Sequence, residues 1–313
     1  MKILVWSRHR YPAYADEGCG LRAMAFPSNS GQFVTDCLVK GLAELGHEVF
    51  YLLDGGAARP LPEGVTLVAE ASREAEVFHN VESESKPWVR TIHLDAGLLG
   101  VERAAAPPNW VYVSRTLAAS YGSERFVLNG IDPGVCVYSE SKGDYFLFVS
   151  NMDRAEGKGL GLALSLCEEL GFRLVVAGAS RDASVIERVA GMCRAGGAEY
   201  VGDVRGARKA ELFAGARALL FPTTLNEAFG LVVAEALMSG TPVICSDSGA
   251  CPEVVSEEVG FVCRTRAEYV EAAGRVGRIS PRACREKALK EFHYLRMAAD
   301  YVKQYELELA GRA

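Results

Sequence analysis

Short runs of consecutive apolar residues, each followed by a stretch of helical periodicity, recur along this chain and constrain its fold more than any other feature. Ile3 to Trp6 opens a first series. Phe33, Val34, Leu38, Leu42 and Leu45 then repeat at helical spacing, Gly46 stops the helix, and Val49 to Leu53 supply the next strand. Apolar runs at 65–68, 89–92, 110–113 and 126–128 continue it. A second series starts afresh at Tyr145 to Val149, with a helix expected over 159–170 and strands over 174–177, 218–221 and 243–245. A strand that is apolar at every position, not at alternate ones, is buried on both faces, as in a parallel sheet covered by helices. Two doubly wound α/β domains follow. The break between them falls near residues 132–145, DPGVCVYSESKGDY, where Gly, Pro, Ser and charge cluster. Residues 281–309 read as one or two charged helices with aromatics at Phe292, Tyr294, Tyr301 and Tyr305.

Composition narrows the function. The chain has 313 residues, 49% apolar and 24% charged, which excludes a disordered chain, a fibre and a disulfide-stapled miniprotein. A net charge of -6 leaves no global positive field for nucleic acid, so an anionic ligand must be gripped locally. The nine cysteines include no C-x-x-C pair, which fits small core thiols in a reducing cytoplasm. The amino-terminal apolar run is too short for a secretory segment, and no later stretch approaches the roughly 20 residues of a membrane span. A cytoplasmic location is the expectation.

The segment TTLNEAFGLVVAEALMSGTPVICSD, residues 223–247, carries the strongest chemical signal. A loop holding Glu227 follows the strand at 218–221, a helix starts near Gly230, and Glu235 lies one to two turns inside it. Backbone amides of Phe229, Gly230 and Leu231 at the helix start form a neutral anion site suited to phosphate. Two carboxylates flanking an anion site suit a ligand with hydroxyls on both sides of a phosphate bridge, as in a nucleotide sugar. Each glutamate alone also reads as an ordinary solvated charge. Lys158-Gly159 opens a helix after the strand at 145–149, where a cation can reach a pyrophosphate.

Glu227 and Glu235 resemble the E-x7-E signature of the retaining glycosyltransferases of family 4, and GTPVICSDSGACPEVV is similar to that family's next segment, with Gly249 and Glu253 in register. SGQFVTDCLVKGLAELGHEV resembles the family's first helix, entered through a glycine loop; Ser30-Gly31 keeps one of the usual two glycines. VRTIHLD places His93 where the family has a histidine close to the transferred sugar, and VYVSRTLAASYG with FVLNGIDP, including Ser114 and Asn129 to Asp132, matches the end of its first domain.

The resemblance implies a GT-B fold, two doubly wound Rossmann-like domains facing a central cleft. The first, 1–138, takes the acceptor, and the second, 139–290, binds the nucleotide sugar; a closing helix, 291–313, crosses back to the first. It implies transfer of a sugar, with retention, from a UDP- or GDP-type donor to a hydroxyl on a small-molecule, glycan or lipid-linked acceptor. His93, Glu227 and Lys158 would be catalytic. Gly31, Asn151, Arg154, Lys158, Glu227, Ala228, Phe229, Gly230, Leu231 and Glu235 would bind the donor, Glu227 at the sugar and Glu235 at the ribose. No D-x-D element stands where it could carry a metal on the diphosphate, so neither metal nor cofactor is expected, and peripheral membrane contact is compatible with the family. One departure stands out: Ser150-Asn151 occupies the place of the family's Gly-Arg, leaving Arg154 as the nearest cation to replace the missing guanidinium. The connection of residues 7–30, with Arg8, Arg10, Tyr11, Tyr14 and Arg22, suits a polar acceptor. His9, His47, His79 and His293 are read as structural or surface residues, and Asn129-Gly130 as a turn. The rival readings are an epimerase or a sugar phosphorylase on the same fold, or a non-catalytic nucleotide-sugar-binding homologue. A dinucleotide oxidoreductase is disfavoured, because no G-x-G-x-x-G follows either first strand.

Overall fold

The computed structural model describes residues 1–13, 30–94 and 106–311. In chain order the elements are β1 (Lys2–Ser7), α1 (Ser30–Glu44), β2 (Glu48–Leu53), β3 (Val65–Val68), β4 (Val77–His79), β5 (Trp88–Ile92), β6 (Trp110–Tyr112) and α2 (Arg115–Ser120). There follow β7 (Tyr145–Val149), α3 (Leu160–Leu170), β8 (Arg173–Ala177), α4 (Ala183–Ala195), β9 (Glu199–Gly202), α5 (Gly206–Gly215) and β10 (Ala218–Phe221). The chain closes with α6 (Leu231–Met238), β11 (Val243–Ser246), α7 (Cys251–Val254), β12 (Gly260–Cys263), α8 (Arg266–Arg275), α9 (Pro281–Glu291) and α10 (Tyr294–Ala310).

Two compact units result. Among the described residues, the first takes those up to Asp132 together with those from Glu291 onward, and the second takes Pro133–Lys290. The break thus falls at Asp132/Pro133, six residues before the expected boundary. Each unit holds one six-stranded sheet, ordered β3-β2-β1-β4-β5-β6 in the first and β12-β11-β10-β7-β8-β9 in the second. All neighbouring strands within them pair in parallel. Counted within its own unit, each sheet reads 3-2-1-4-5-6. In such a sheet the strand order reverses between the first and fourth strands, and ligands bind there, beyond the carboxyl ends of the strands. In the second unit that switch point lies between β7 and β10.

Apolar runs build the cores as the pattern requires. Ile3, Leu4 and Val5 of β1 are fully buried, as are Leu219 of β10 and Val243 and Ile244 of β11. In the second unit Phe146, Phe148, Leu160, Leu174 and Val176 share one cluster with Val189, Leu220 and Tyr269. Each such large side chain contributes about 1.5–3 kcal/mol by leaving water. The strand expected at 126–128 does not form. Phe126 makes only an isolated parallel bridge to Tyr112 of β6. Three strands were missed: β4, with three residues, and β9 and β12, with four each. The described cysteines form no disulfide and are buried, with Cys136 half-buried.

The carboxyl-terminal helix completes the first unit. Gly130 N–H donates to Met297 Sδ at 3.0 Å, Ile131 N–H to the Phe292 carbonyl at 2.8 Å, and Tyr294 N–H to the Ile131 carbonyl at 3.1 Å. The Asn129-Gly130 segment does not form the expected turn; it runs into a parallel bridge between Ile131 and His293, and so is the docking point of α10, which also packs along α1. Lys40 of α1 donates to Asp132 at 2.6 Å and lies over the Tyr294 ring. Ser114 acts as the N-cap of α2, accepting from Leu117 N–H at 3.1 Å. Among the described residues, no helix is long and apolar enough to cross a membrane.

Candidate functional site

The candidate residues fall into two sets, one in each unit. In the second unit, the loop after β7 carries Asn151, Arg154 and Lys158, and the loop after β10 carries Glu227. These loops flank the switch point. They are stitched together: Thr224 N–H donates to the Gly157 carbonyl at 2.8 Å, and the Thr223 and Thr224 hydroxyls reach the same oxygen. Gly159 allows that approach, since a Cβ there would stand 2.1 Å from the Pro222 carbonyl oxygen.

Lys158 and Glu227 meet. The Lys158 ammonium donates to Glu227 Oε2, with the two side chains only 17% and 14% exposed. Lys158 also lies over the Phe221 ring, 5.0 Å from its centroid. The reading of either residue as a freely solvated charge therefore fails. Glu227's backbone is clamped from the other side. Ala250 N–H donates to its carbonyl at 2.8 Å, and Gly249, at φ +56°, packs so closely that a Cβ would lie 2.2 Å from that oxygen.

Gly230, at φ 89°, caps α6 without a side-chain partner, so the first turn from Leu231 offers its amides to a ligand. Phe229 lies just before the helix and is buried, 2% exposed. Ala228 is likewise buried. Glu235 faces a partner that sequence reasoning missed. Lys209 of α5 donates to its Oε1 at 2.6 Å, with the side chains 23% and 12% exposed. Both glutamates of the motif thus hold a lysine drawn from a different element.

Asn151 serves its own loop: its Oδ1 accepts from Asp153 N–H at 2.8 Å and caps the 3-10 turn Met152–Arg154. Arg154, at the end of that turn, is exposed.

In the first unit Gly31 and His93 come together. A Cβ at Gly31 would stand 3.3 Å from His93 Cδ2, which places the first turn of α1 against the imidazole following β5. Burial lowers the His93 pKa to about 4, so the ring is neutral near pH 7. Behind it, His79 at the end of β4 is deeply buried and lowered to about 3, by desolvation and then by His93. His79 Nδ1 lies 2.9 Å from the Tyr305 hydroxyl and Nε2 3.1 Å from Thr91 Oγ1, which is itself 2.6 Å from the Tyr301 hydroxyl. His79 is structural, as expected.

His9 is also structural. Its Nε2 donates to Asp36 Oδ1 at 2.9 Å and its Nδ1 lies 2.8 Å from Ser7 Oγ. Asp36 further accepts from Ala13 N–H at 2.7 Å and the Tyr51 hydroxyl at 2.7 Å, pinning the start of the long connection. Arg8 is exposed and pairs loosely with Asp54, while Arg10 and Tyr11 are half-buried. Tyr14 and Arg22 lie outside the described residues.

Residues 143–278, nearly the whole second unit, match the family described as Glycosyl transferases group 1. The chain is similar to the crystal structure of AviGT4, a glycosyltransferase involved in Avilamycin A biosynthesis. The TM-score is 0.78 at 24% identity, covering 99% of this chain and 98% of that one. The fold is GT-B. A second structure, Anabaena Alr3699/HepE in complex with UDP and glucose, gives a TM-score of 0.66 at 13% identity, over 98% of this chain and 100% of that one. In sequence, the MMP alpha-(1->4)-mannosyltransferase of Mycolicibacterium hassiacum is 37% identical over 112 residues. That match takes in 32% of this chain and 27% of the relative, so the chain spans about a quarter of the curated relative's length. The group 1 match embraces Lys158, Lys209, Glu227 and Glu235, whereas Gly31 and His93 lie outside it.

Proposed function

We propose that this GT-B protein is a retaining glycosyltransferase, moving a sugar from a UDP- or GDP-type nucleoside diphosphate sugar to a hydroxyl of a small-molecule, glycan or lipid-linked acceptor. The Lys158–Glu227 pair at the switch point of the second sheet, beside the open first turn of α6, carries the reading. A cation, oriented amides and a carboxylate converge there, which suits a diphosphate joined to a hydroxylated ring. The group 1 match over this unit and the UDP-bound neighbour Alr3699/HepE support the same ligand class.

In the reaction the anomeric C–O bond breaks and its electron pair goes to the departing diphosphate. Lys158 and the α6 amides stabilise that growing charge, a task a metal ion performs in other enzymes, and none is needed in this scheme. The acceptor hydroxyl attacks from the face the diphosphate leaves and passes its proton to a diphosphate oxygen, so configuration is kept. Glu227 accepts hydrogen bonds from the sugar hydroxyls. His93, neutral and with a pKa near 4, is a poor base and a good hydrogen-bonding group; its part is to orient the sugar.

Two glutamate variants test the scheme by calorimetry. Glu235→Ala should weaken binding of the nucleoside diphosphate by about 1.5–3 kcal/mol through lost charged hydrogen bonds. Glu227→Ala should spare the bare nucleotide and impair only the complete donor. Equal losses on both ligands contradict the assignment. The anomeric configuration of the product, read by NMR, tests retention directly.

A further inference from the structure

We propose that Asn80 is a positioning residue for His93: its side-chain carbonyl completes the β4–β5 ladder and so holds the strand that presents the imidazole. The inference rests on the reading above, in which His93 orients the transferred sugar, and adds a residue that takes no part in that scheme.

Asn80 follows β4 at the carboxyl end of the first sheet, beside that sheet's own switch point between β1 and β4. Among the described residues it is the one non-glycine residue with a positive φ, 63°. That conformation is costly for most side chains and least so for asparagine. The hydrogen bonds show what it achieves. Phe78 N–H donates to the Pro87 carbonyl at 2.9 Å and Asn80 N–H to the Val89 carbonyl at 2.8 Å, regular rungs of a parallel ladder. The next rung would run from Thr91 N–H to the Asn80 backbone carbonyl. Instead Thr91 N–H donates to Asn80 Oδ1 at 3.0 Å. The backbone turns out of the sheet while the side chain keeps β5 paired to its end. Glycine would take the same φ with less strain but brings no oxygen to that rung. Asparagine supplies both the turn and the acceptor.

Thr91 is fixed through its side chain as well, with Oγ1 2.6 Å from the Tyr301 hydroxyl and 3.1 Å from His79 Nε2. His93 lies two residues beyond, against the first turn of α1 at Gly31. Among the described residues no group hydrogen-bonds its imidazole, so the backbone that carries the ring and the Gly31 contact set its place.

The test compares wild type with Asn80→Gly, which keeps the turn and removes the acceptor, and with Asn80→Asp, which keeps both. His93→Ala and the double variant carrying Asn80→Gly and His93→Ala complete a cycle. Turnover is read as release of nucleoside diphosphate from UDP-glucose, UDP-N-acetylglucosamine and GDP-mannose with water as acceptor. Binding is read by calorimetry with UDP and GDP. The assays run at pH 8, where His79 and His93 stay neutral even beside a new carboxylate. Asn80→Gly should lower kcat by at least about tenfold, part of the roughly 100-fold that a displacement of about 1 Å costs. Affinity for UDP or GDP should stay within about threefold. Asn80→Asp should recover most of the lost kcat. In the His93→Ala background Asn80→Gly should have no further effect, because its action passes through the ring. The His93 ring resonances, identified in NMR spectra by their loss in His93→Ala, should move in Asn80→Gly. A purely structural asparagine would lower the melting temperature and leave kcat and those resonances unchanged in the folded variant, which overturns the inference. An equal loss of kcat from Asn80→Gly with and without His93 also overturns it. If no donor turns over, unmoved resonances in folded Asn80→Gly overturn it on their own. Wild-type kcat in folded His93→Ala removes the sugar-orienting reading of His93, and this inference with it.

Discussion

Replacing Gly249 by alanine would move Glu227 without removing a charge or a hydrogen-bonding side chain. The new Cβ would stand 2.2 Å from the Glu227 carbonyl oxygen and 2.3 Å from its amide nitrogen. Non-bonded contacts of that kind relax to roughly 3.3 Å or more, so the Glu227 backbone must retreat by about 1 Å. The Ala250 N–H to Glu227 carbonyl bond, now 2.8 Å, would stretch or break. An alanine at φ +56° adds about 1–2 kcal/mol of backbone strain. A shift of about 1 Å in a positioning group costs on the order of 100-fold in rate. Gly249→Ala should therefore lower kcat/KM on the nucleotide sugar by about 100-fold and global stability by about 1–3 kcal/mol. Affinity for the bare nucleoside diphosphate should stay within about threefold, since Glu235 and Lys209 are untouched. Urea unfolding, calorimetry and steady-state transfer on the donor giving the largest thermal shift measure the three quantities. A folded variant with wild-type kcat/KM refutes the claim that the Gly249 contact sets the position of Glu227.

His93→Ala should lower turnover on the full donor and leave nucleoside diphosphate affinity nearly intact; wild-type turnover in a folded variant returns His93 to a structural role. Arg154→Ala should cost at least about tenfold in transfer efficiency if this exposed arginine swings to the diphosphate in place of the guanidinium absent at Asn151. A silent Arg154→Ala beside a severe Lys158→Ala leaves Lys158 acting alone. His79 and His93 are held at about 3 and about 4 against an ordinary 6.5, so between those values the unfolded chain binds protons that the folded one does not. Their contribution to stability is complete above pH 6.5 and is lost as pH falls towards 4, at about 1.4 kcal/mol per pH unit for each ring. His79→Gln should flatten the acid limb by about one proton relative to wild type in urea titrations from pH 7 to 4.5, and parallel limbs contradict the burial argument.

Both units were legible in the sequence because β1, β7, β8 and β10 are apolar at every core position, a pattern only a covered parallel sheet produces. The three missed strands are short or interrupted: β9 reads EYVG and β12 reads GFVC. Phe126 to Leu128 shows the converse error, apolar residues that give a single bridge to β6 and no strand. At the site, local spacing located Glu227 in a loop and Glu235 in a helix, since those positions depend on neighbours in the chain. Their lysine partners lie 69 and 26 residues away, and no spacing rule reaches that far. Asp36 was overlooked for the same reason. In the sequence it is one charge in an amphipathic helix, and only the fold brings His9, Ala13 and Tyr51 to it.

The closing helix has a bearing on biosynthesis. Residues 133–290 are contiguous, so the second unit has all of its parts as soon as that stretch leaves the ribosome. The first unit does not. Its β4 supplies His79, whose hydrogen-bond partner Tyr305 is 226 residues further on. Until α10 emerges, the places of Tyr301 and Tyr305 beside Thr91 and His79 stand open to water, and the Asn129–Asp132 segment lacks the helix that docks on it. The nascent chain must keep a partly uncovered sheet soluble while the second unit is made. The unit begun first is completed last.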